Sequence, residues 1–228
     1  MINGVIEWFQ DPANWTGDDG VPHRLLEHGL LTLVALLAAM AVGLPLAIWL
    51  GHKRRFGTLA VNVSNVGRAI PIVALLSLLA LGFVGSAELG PFGRAGLATL
   101  ITLALFALPP IITNAYVAIS GVDDDLVEAA RGMGMDERQV LRRVELPVAL
   151  PLIISGVRLA VVQVWATATI AALVAGPGLG RIITHGYDSN RPAEVIAGSL
   201  IVAVIALALE ILMALLQRRM DPLPPGSR

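Results

Sequence analysis

Five apolar runs separated by polar breaks restrict this chain to a membrane-embedded fold. They cover residues 29–50, 69–84, 94–120, 151–175 and 193–216. A helix needs about 20 apolar residues to cross the roughly 30 Å hydrocarbon core of a bilayer. The second run is short, and we treat the mixed segment 56–68 as the first turns of the same element, with a kink at Pro71. A chain that is 56% hydrophobic and 14% charged fits this class. We therefore expect an all-α bundle of five transmembrane helices.

Lysine and arginine are distributed unequally between the two ends of these runs. One side carries Lys53, Arg54, Arg55, Arg131, Arg138, Arg142, Arg143, Arg218 and Arg219, and the other carries Arg24, Arg94, Arg181 and Arg191. Cytoplasmic loops are enriched in these cations, so the first side is predicted to be cytoplasmic, with the N-terminus outside and the C-terminus inside.

Three regions follow from this orientation. Residues 1–27 are predicted to be an extracytoplasmic or interfacial segment, 28–217 a transmembrane domain, and 218–228 a cytoplasmic tail. The first region lacks the basic start and short apolar core of a signal peptide, so we expect it to remain in the mature protein.

The segment 121–147, here called the signature loop, is a polar island with the signals of two short helices. Asp125 and Glu128 predict an acidic capping box at the start of the first helix. Gly132 and Gly134 predict its end, because glycine enters the left-handed region without steric cost.

The second helix has its own start and stop signals. Asp136 and Gln139 predict a capping box, and Met135 with Val140 predicts a hydrophobic staple across it. Pro147 is expected to end this helix.

One face of the first helix is predicted to be small and smooth. Leu126, Ala129, Ala130 and Met133 follow the i, i+3, i+4, i+7 spacing of a helical face. Such a face allows another protein to approach closely.

The spacing across this loop resembles the signature of ABC importer permeases. The matching residues are Glu128, Ala129, Ala130, Gly134, Val144, Leu146 and Pro147, with valine where the family usually has isoleucine. The resemblance implies a coupling helix that docks on a cytoplasmic ATPase subunit. The residues expected to serve this coupling are Leu126, Glu128, Ala129, Ala130, Gly132, Met133, Gly134, Leu146 and Pro147.

Further stretches resemble the osmoprotectant permeases, which import glycine betaine, choline, carnitine or similar compounds. They are residues 68–76, 108–116, 132–135 and 170–180, within a resemblance that spans about 25 to 216. This implies a type I importer fold like that of the methionine permease, located in a bacterial plasma (inner) membrane. The implied partners are a second permease subunit, a dimer of ATP-binding subunits and a separate extracytoplasmic binding protein.

Other interpretations remain open at this point. The chain could import another small zwitterion, such as an amino acid or a thiol-protective betaine. It could also be a membrane assembly subunit that does not transport.

Enzymatic chemistry is not expected in this chain. It has no cysteine and no phosphate-binding glycine loop with its lysine, so ATP-Mg is expected on the partner ATPase and no cofactor, metal or nucleic acid on this chain. The four histidines, His23, His28, His52 and His185, fall outside or at the ends of the apolar runs. We interpret them as surface or interfacial residues.

Polar and proline residues within the runs are candidates for a translocation path. They are Pro71, Pro109, Asn114, Gln163, Trp165, Thr167 and Thr169. The alternative is helix packing, since polar and small residues also join membrane helices. Pro109 and Pro110 are expected to break the third span and to leave backbone carbonyls that protein or water must satisfy.

Two charged residues within the runs are predicted to pair. Arg158 and Glu210 each lie about 10 Å in from the cytoplasmic end of their spans, at 1.5 Å per helical residue. They could form an inner gate or a structural ion pair, Arg158 could instead snorkel to the interface, and Arg68 is a competing partner for Glu210.

Overall fold

The described part of the chain consists of helices joined by turns and short connections. The computed structural model describes residues 2–54, 62, 69–85, 89–93 and 95–220. The α-helices are α1 (Ile2–Gln10), α2 (Val21–Lys53), α3 (Ile72–Leu78), α4 (Gly96–Ser120), α5 (Asp124–Gly132), α6 (Glu137–Val140), α7 (Leu146–Ala168), α8 (Gly180–Asp188) and α9 (Pro192–Met220). Three 3₁₀ segments (Pro12–Trp15, Gly90–Phe92, Thr169–Val174) and two π-helical turns (Leu79–Phe83, Leu141–Glu145) lie between them.

Four helical stretches in this part of the chain are long and apolar enough to cross a membrane. They are Val21–Lys53, Gly96–Ser120, Glu137–Val174 and Pro192–Arg219. The second predicted span is represented by a shorter apolar helix, Ile72–Gly82. Its expected first turns, at 56–61 and 63–68, lie outside the described residues. The prediction of an all-α membrane fold is confirmed.

Helix α4 does not break at its two prolines, contrary to expectation. It is continuous from Gly96 to Ser120 with Pro109 and Pro110 inside it. A proline within a helix removes one backbone donor. A side chain compensates for Pro110, since Gln163 on α7 donates to the Phe106 carbonyl at 3.2 Å. The Asn114 side-chain amide donates in addition to the Pro110 carbonyl at 2.8 Å.

Two segments outside the five apolar runs contain helices. The segment between the fourth and fifth runs includes α8, whose Ile182 is buried in an apolar cluster with Leu179 and Val21. The N-terminal segment 1–27 includes α1, and its Trp8 packs against the same cluster. Burial of one apolar face therefore stabilises these short helices, although glycines and prolines flank them.

Helices α2, α4 and α7 form the centre of the bundle through small residues. Ala35, Ala107 and Ala160, one on each helix, are at most 1% exposed in a shared core. A Cβ added at Gly156 of α7 would lie 2.5 Å from the Cβ of Asn114, so α4 and α7 require a glycine there. Close backbone approach between small residues is the usual mode of helix packing in membranes.

Candidate functional site: the signature loop and its base

The signature loop folds as two helices, but the first begins earlier than predicted. Its N-cap is Asp123, whose carboxylate accepts a hydrogen bond from the Asp125 backbone N–H at 2.9 Å. Asp125, expected to be the cap, is instead in the first turn of α5. Three consecutive aspartates offer three possible caps, and the one that directly follows buried Val122 is used.

Helix α5 ends at a glycine in the left-handed region. Gly134 has φ +84°, its N–H donates to the Arg131 carbonyl (2.9 Å), and the Met135 N–H donates to the Ala130 carbonyl (3.2 Å). These two bonds form a Schellman motif. Gly132, the other predicted terminator, is the last residue of the helix and is not among the glycines with positive φ.

The second helix begins as predicted and continues further. Asp136 and Gln139 form a reciprocal capping box, with bonds of 2.8 and 3.0 Å. Pro147 does not end the helix, because α6, the π-helical turn Leu141–Glu145 and α7 run on without a break. In the π turn directly before the proline, backbone hydrogen bonds reach five residues back instead of four. The Leu146 N–H, for example, donates to the Leu141 carbonyl.

Helix α5 has one buried and one exposed face. Val127 and Ala130 are 3% and 1% exposed and belong to an apolar cluster with Ala47 of α2 and Ile119 of α4. The prediction that Ala130 shares a docking face with Leu126, Ala129 and Met133 is therefore wrong. It points into the bundle and packs α5 onto it.

The outward face of α5 keeps the other predicted residues. Leu126 is 49% exposed and Met133 73%, and Glu128, Ala129, Gly132 and Gly134 are exposed as well. At the far end of the loop, Leu146 packs against the apolar cluster and Pro147 is exposed. An apolar patch of this kind on a polar loop is suited to contact with a protein.

The last turn of α2 holds the start of α5 in place, which the sequence did not reveal. Arg54, in the left-handed C-cap position of α2, donates from Nη2 to the Val122 carbonyl at 2.8 Å and forms an ion pair with Asp124. Arg54 and Val122 are 68 positions apart in the chain, so no local pattern indicates this contact.

Two histidines that were predicted to be surface or interfacial residues have buried side chains. His52, on α2, has a side chain only 7% exposed and lies 2.6 Å from the Glu145 carboxylate. His28, on α2 at the opposite end of the bundle, is 0% exposed, packs against the Trp165 ring and contacts the Trp165 carbonyl through Nε2 at 3.0 Å. Sequence gave no signal for either, because their partners are 93 and 137 residues away.

Three of the predicted path residues make contacts between helices. Asn114 faces Gly156 of α7, Gln163 reaches the Phe106 carbonyl on α4, and the indole N–H of Trp165 donates to the Val202 carbonyl on α9 at 3.2 Å. These contacts fit the helix-packing alternative.

The other predicted path residues are dispersed. Thr167 lines a small cavity with Thr99 and Thr102, and its hydroxyl donates to the Gln163 carbonyl at 2.6 Å. Thr169 starts the 3₁₀ segment after α7, Pro71 is exposed at the N-cap of α3, and Pro109 is buried within α4.

Arg158 and Glu210 lie together, as the pairing hypothesis requires. The Arg158 Nε donates to Glu210 Oε1 at 3.0 Å, and a second guanidinium nitrogen contacts the same oxygen. Gln217 extends the contact, since its Oε1 accepts from Arg158 (3.1 Å) and its Nε2 donates to Ser155 (2.7 Å). The alternative partner, Arg68, lies outside the described residues.

Metal chemistry has no candidate ligands in the described ranges. Within residues 2–54, 62, 69–85, 89–93 and 95–220, no three His, Asp or Glu side chains are grouped so that they could hold an ion.

Curated relatives cover almost the whole chain. The carnitine transport permease protein OpuCB of Listeria monocytogenes is 32% identical over 97% of this chain and 95% of its own length. The glycine betaine/carnitine/choline transport system permease protein OpuCD of Bacillus subtilis is 34% identical over 96% and 93%. The choline transport system permease protein OpuBD of the same organism is 35% identical over 86% and 83%.

A solved structure has the same fold. The inward-facing MetNI methionine ABC transporter matches with a TM-score of 0.71 over 88% of this chain and 96% of that chain, at 21% identity. The type I importer fold is thereby confirmed. Residues 43–222 match the sequence profile of the binding-protein-dependent transport system inner membrane component, and the chain belongs to that family.

Proposed function

We propose that this chain is the permease subunit of an ATP-driven importer for a quaternary ammonium osmoprotectant such as glycine betaine, choline or carnitine. The structural observation that carries this proposal is the exposed apolar face of α5, with Leu126 and Met133, fixed to the bundle by buried Val127 and Ala130. The permeases named above, at 32–35% identity, support the substrate class.

The proposed partners follow from this role. A dimer of ATP-binding subunits carries ATP-Mg and contacts α5 in the cytoplasm, and a second permease subunit completes the membrane part. A separate extracytoplasmic binding protein delivers the substrate. This chain holds no cofactor and does no catalysis, because it transmits movement between the ATPase and the substrate path.

The proposed orientation places the signature loop and the C-terminus in the cytoplasm of a bacterial cell, with the N-terminus outside. The excess of lysine and arginine on the signature-loop side supports it.

Reconstitution tests the proposal. The chain is inserted into proteoliposomes with its cognate ATPase and binding protein, and uptake of labelled glycine betaine, choline and carnitine is measured with and without ATP. We expect ATP-dependent uptake of at least one of them, and ATPase stimulation by the loaded binding protein. Uptake of only an amino acid would contradict the substrate class, and an assembled complex without uptake of any solute would contradict the transport role.

A further inference from the structure

A chain of four polar side chains connects α5 to the last turn of α2 and the base of α7. The Arg131 guanidinium, in the last turn of α5, donates to both oxygens of the Glu137 carboxylate at 3.0 and 3.2 Å. Glu137 Oε2 lies 3.2 Å from His52 Nε2, and His52 Nδ1 lies 2.6 Å from Glu145 Oε2. The order is therefore Arg131, Glu137, His52, Glu145.

His52 is the centre of this chain. Its Nδ1 is within hydrogen-bond distance of the buried Glu145 carboxylate, and its Nε2 is in contact with the Glu137 carboxylate on the other side of the ring. Glu145 is 1% exposed, and a buried carboxylate requires a partner. Glu137 and Arg131 are about half exposed, at 54% and 48%, so the chain runs from the core to the surface.

The last turn of α2 consequently holds α5 at both ends. Arg54 holds its beginning through Val122 and Asp124, and His52 holds its end through Glu137 and Arg131. At Gly51, the residue before His52, an added Cβ would lie 2.8 Å from the Cβ of Ile119 on α4, so this turn of α2 is itself tightly packed.

We propose that His52 is a positioning residue for coupling, which makes α5 and the end of α2 move as one rigid unit. This inference rests on the proposed function. A displacement of α5 by the ATPase then passes directly into the first membrane helix, in addition to α7, to which α5 is joined along the chain.

The test measures substrate transported per ATP hydrolysed in reconstituted transporter. Glu137→Gln removes the negative charge that joins Arg131 to His52 and leaves the buried contact of His52 with Glu145 in place, so we expect folding to be retained. We expect transport per ATP to fall about fivefold or more in Glu137→Gln and in His52→Ala. His52→Arg should recover part of the loss, since a guanidinium can donate to two carboxylates at once.

Two comparisons separate coupling from general damage. His23→Ala changes a half-exposed histidine at the other end of α2 and should leave transport per ATP unchanged. The double variant His52→Ala, Glu137→Gln should lose no more than the worse single variant, because both remove the same connection.

A direct measurement of rigidity completes the test. The chain has no cysteine, so spin labels can be placed at Asp125→Cys on α5 and Trp49→Cys on α2 alone. We expect the distance distribution between the labels to broaden in Glu137→Gln. If the distance distribution is unchanged in Glu137→Gln, and transport per ATP is unchanged in Glu137→Gln and His52→Ala, the role of His52 is overturned and the proposed function is not. Absence of ATP-driven uptake by the parent protein would overturn the proposed function and this inference with it.

Discussion

The side-chain amide of Gln163 on α7 donates to the backbone carbonyl of Phe106 on α4 at 3.2 Å. That carbonyl lies four residues before Pro110, whose nitrogen has no hydrogen to offer it. A residue on one membrane helix thus supplies the hydrogen bond that a proline removed from another.

This relationship predicts a dependence of Gln163 on Pro110. Gln163→Leu should lower the free energy of unfolding by about 1–3 kcal/mol, the usual cost of an unsatisfied buried polar group. In a Pro110→Ala background the restored backbone N–H can donate to Phe106, so the same change should cost much less. Reversible unfolding in SDS–detergent mixtures measures both, and equal costs in the two backgrounds would contradict the compensation.

A side chain at Gly134 would have space around it, but the backbone conformation there is strained for any residue other than glycine. No atom lies within 4 Å of a Cβ added there, but its φ is +84°. Gly134→Val should therefore cost about 1–2 kcal/mol and leave the protein inserted, while ATP-driven uptake falls because the end of α5 is displaced. The matched change Gly132→Ala, which also meets open space at a helical position, should not lower stability. Expression and uptake per inserted protein are the measurements, and uptake unchanged in Gly134→Val would contradict the prediction.

The exposed face of α5 should be needed for assembly rather than folding. Leu126→Asp and Met133→Asp place a charge on the outward apolar patch, and we expect the ATPase to be lost on co-purification while the yield of the permease is kept. Ala130→Phe should instead lower the yield of folded permease, because Ala130 is 1% exposed and a larger side chain overpacks the base. The permease that does fold should still co-purify with the ATPase. Co-purification that survives both aspartate changes would exclude this face as the docking surface.

The ion pair on α7 and α9 should contribute to folding within the membrane. Arg158→Ala is expected to lower the yield of folded protein, because it leaves Glu210 without its guanidinium partner. Exchanging the two charges should recover part of that yield. Quantitative size-exclusion of the solubilised variants measures it, and parental behaviour of the single and exchanged variants would show that the pair is dispensable.

The proposed orientation can be checked with single cysteines, since the natural chain has none. Asp125→Cys on α5 should react with a membrane-impermeant maleimide only after the cells are opened. Tyr187→Cys on α8, a position that is 71% exposed, should react in intact cells. Labelling of Asp125→Cys in intact cells would place the signature loop outside the cell and contradict the proposed orientation.

Sequence reasoning succeeded where a signal is local or follows helical spacing. Asp136 and Gln139 lie three residues apart and form the predicted box. Arg158 and Glu210, placed by counting helical rise, are found in contact. The all-α membrane fold follows from the apolar runs alone.

The remaining errors come from partners that are distant in sequence. Pro110 and Pro147 carry strong stop signals, but Gln163 and a π-helical turn keep their helices continuous. His52 carries no local signal, because Glu145 is 93 residues away. Ala130 fits the periodicity of an outward face, and only the position of α2 and α4 beneath α5 shows that it points inward.

The π-helical turn Leu141–Glu145 also fixes the rotational phase of α7. A π turn contains one residue more than an α turn at the same place, and one residue corresponds to about 100° of rotation in an α-helix. If the same residues formed ordinary α turns instead, the extra residue would no longer be absorbed locally, and either Glu145 would turn away from His52 or the inner face of α7 would turn away from α4. The π turn therefore allows the segment before it and the helix after it to keep both contacts at once.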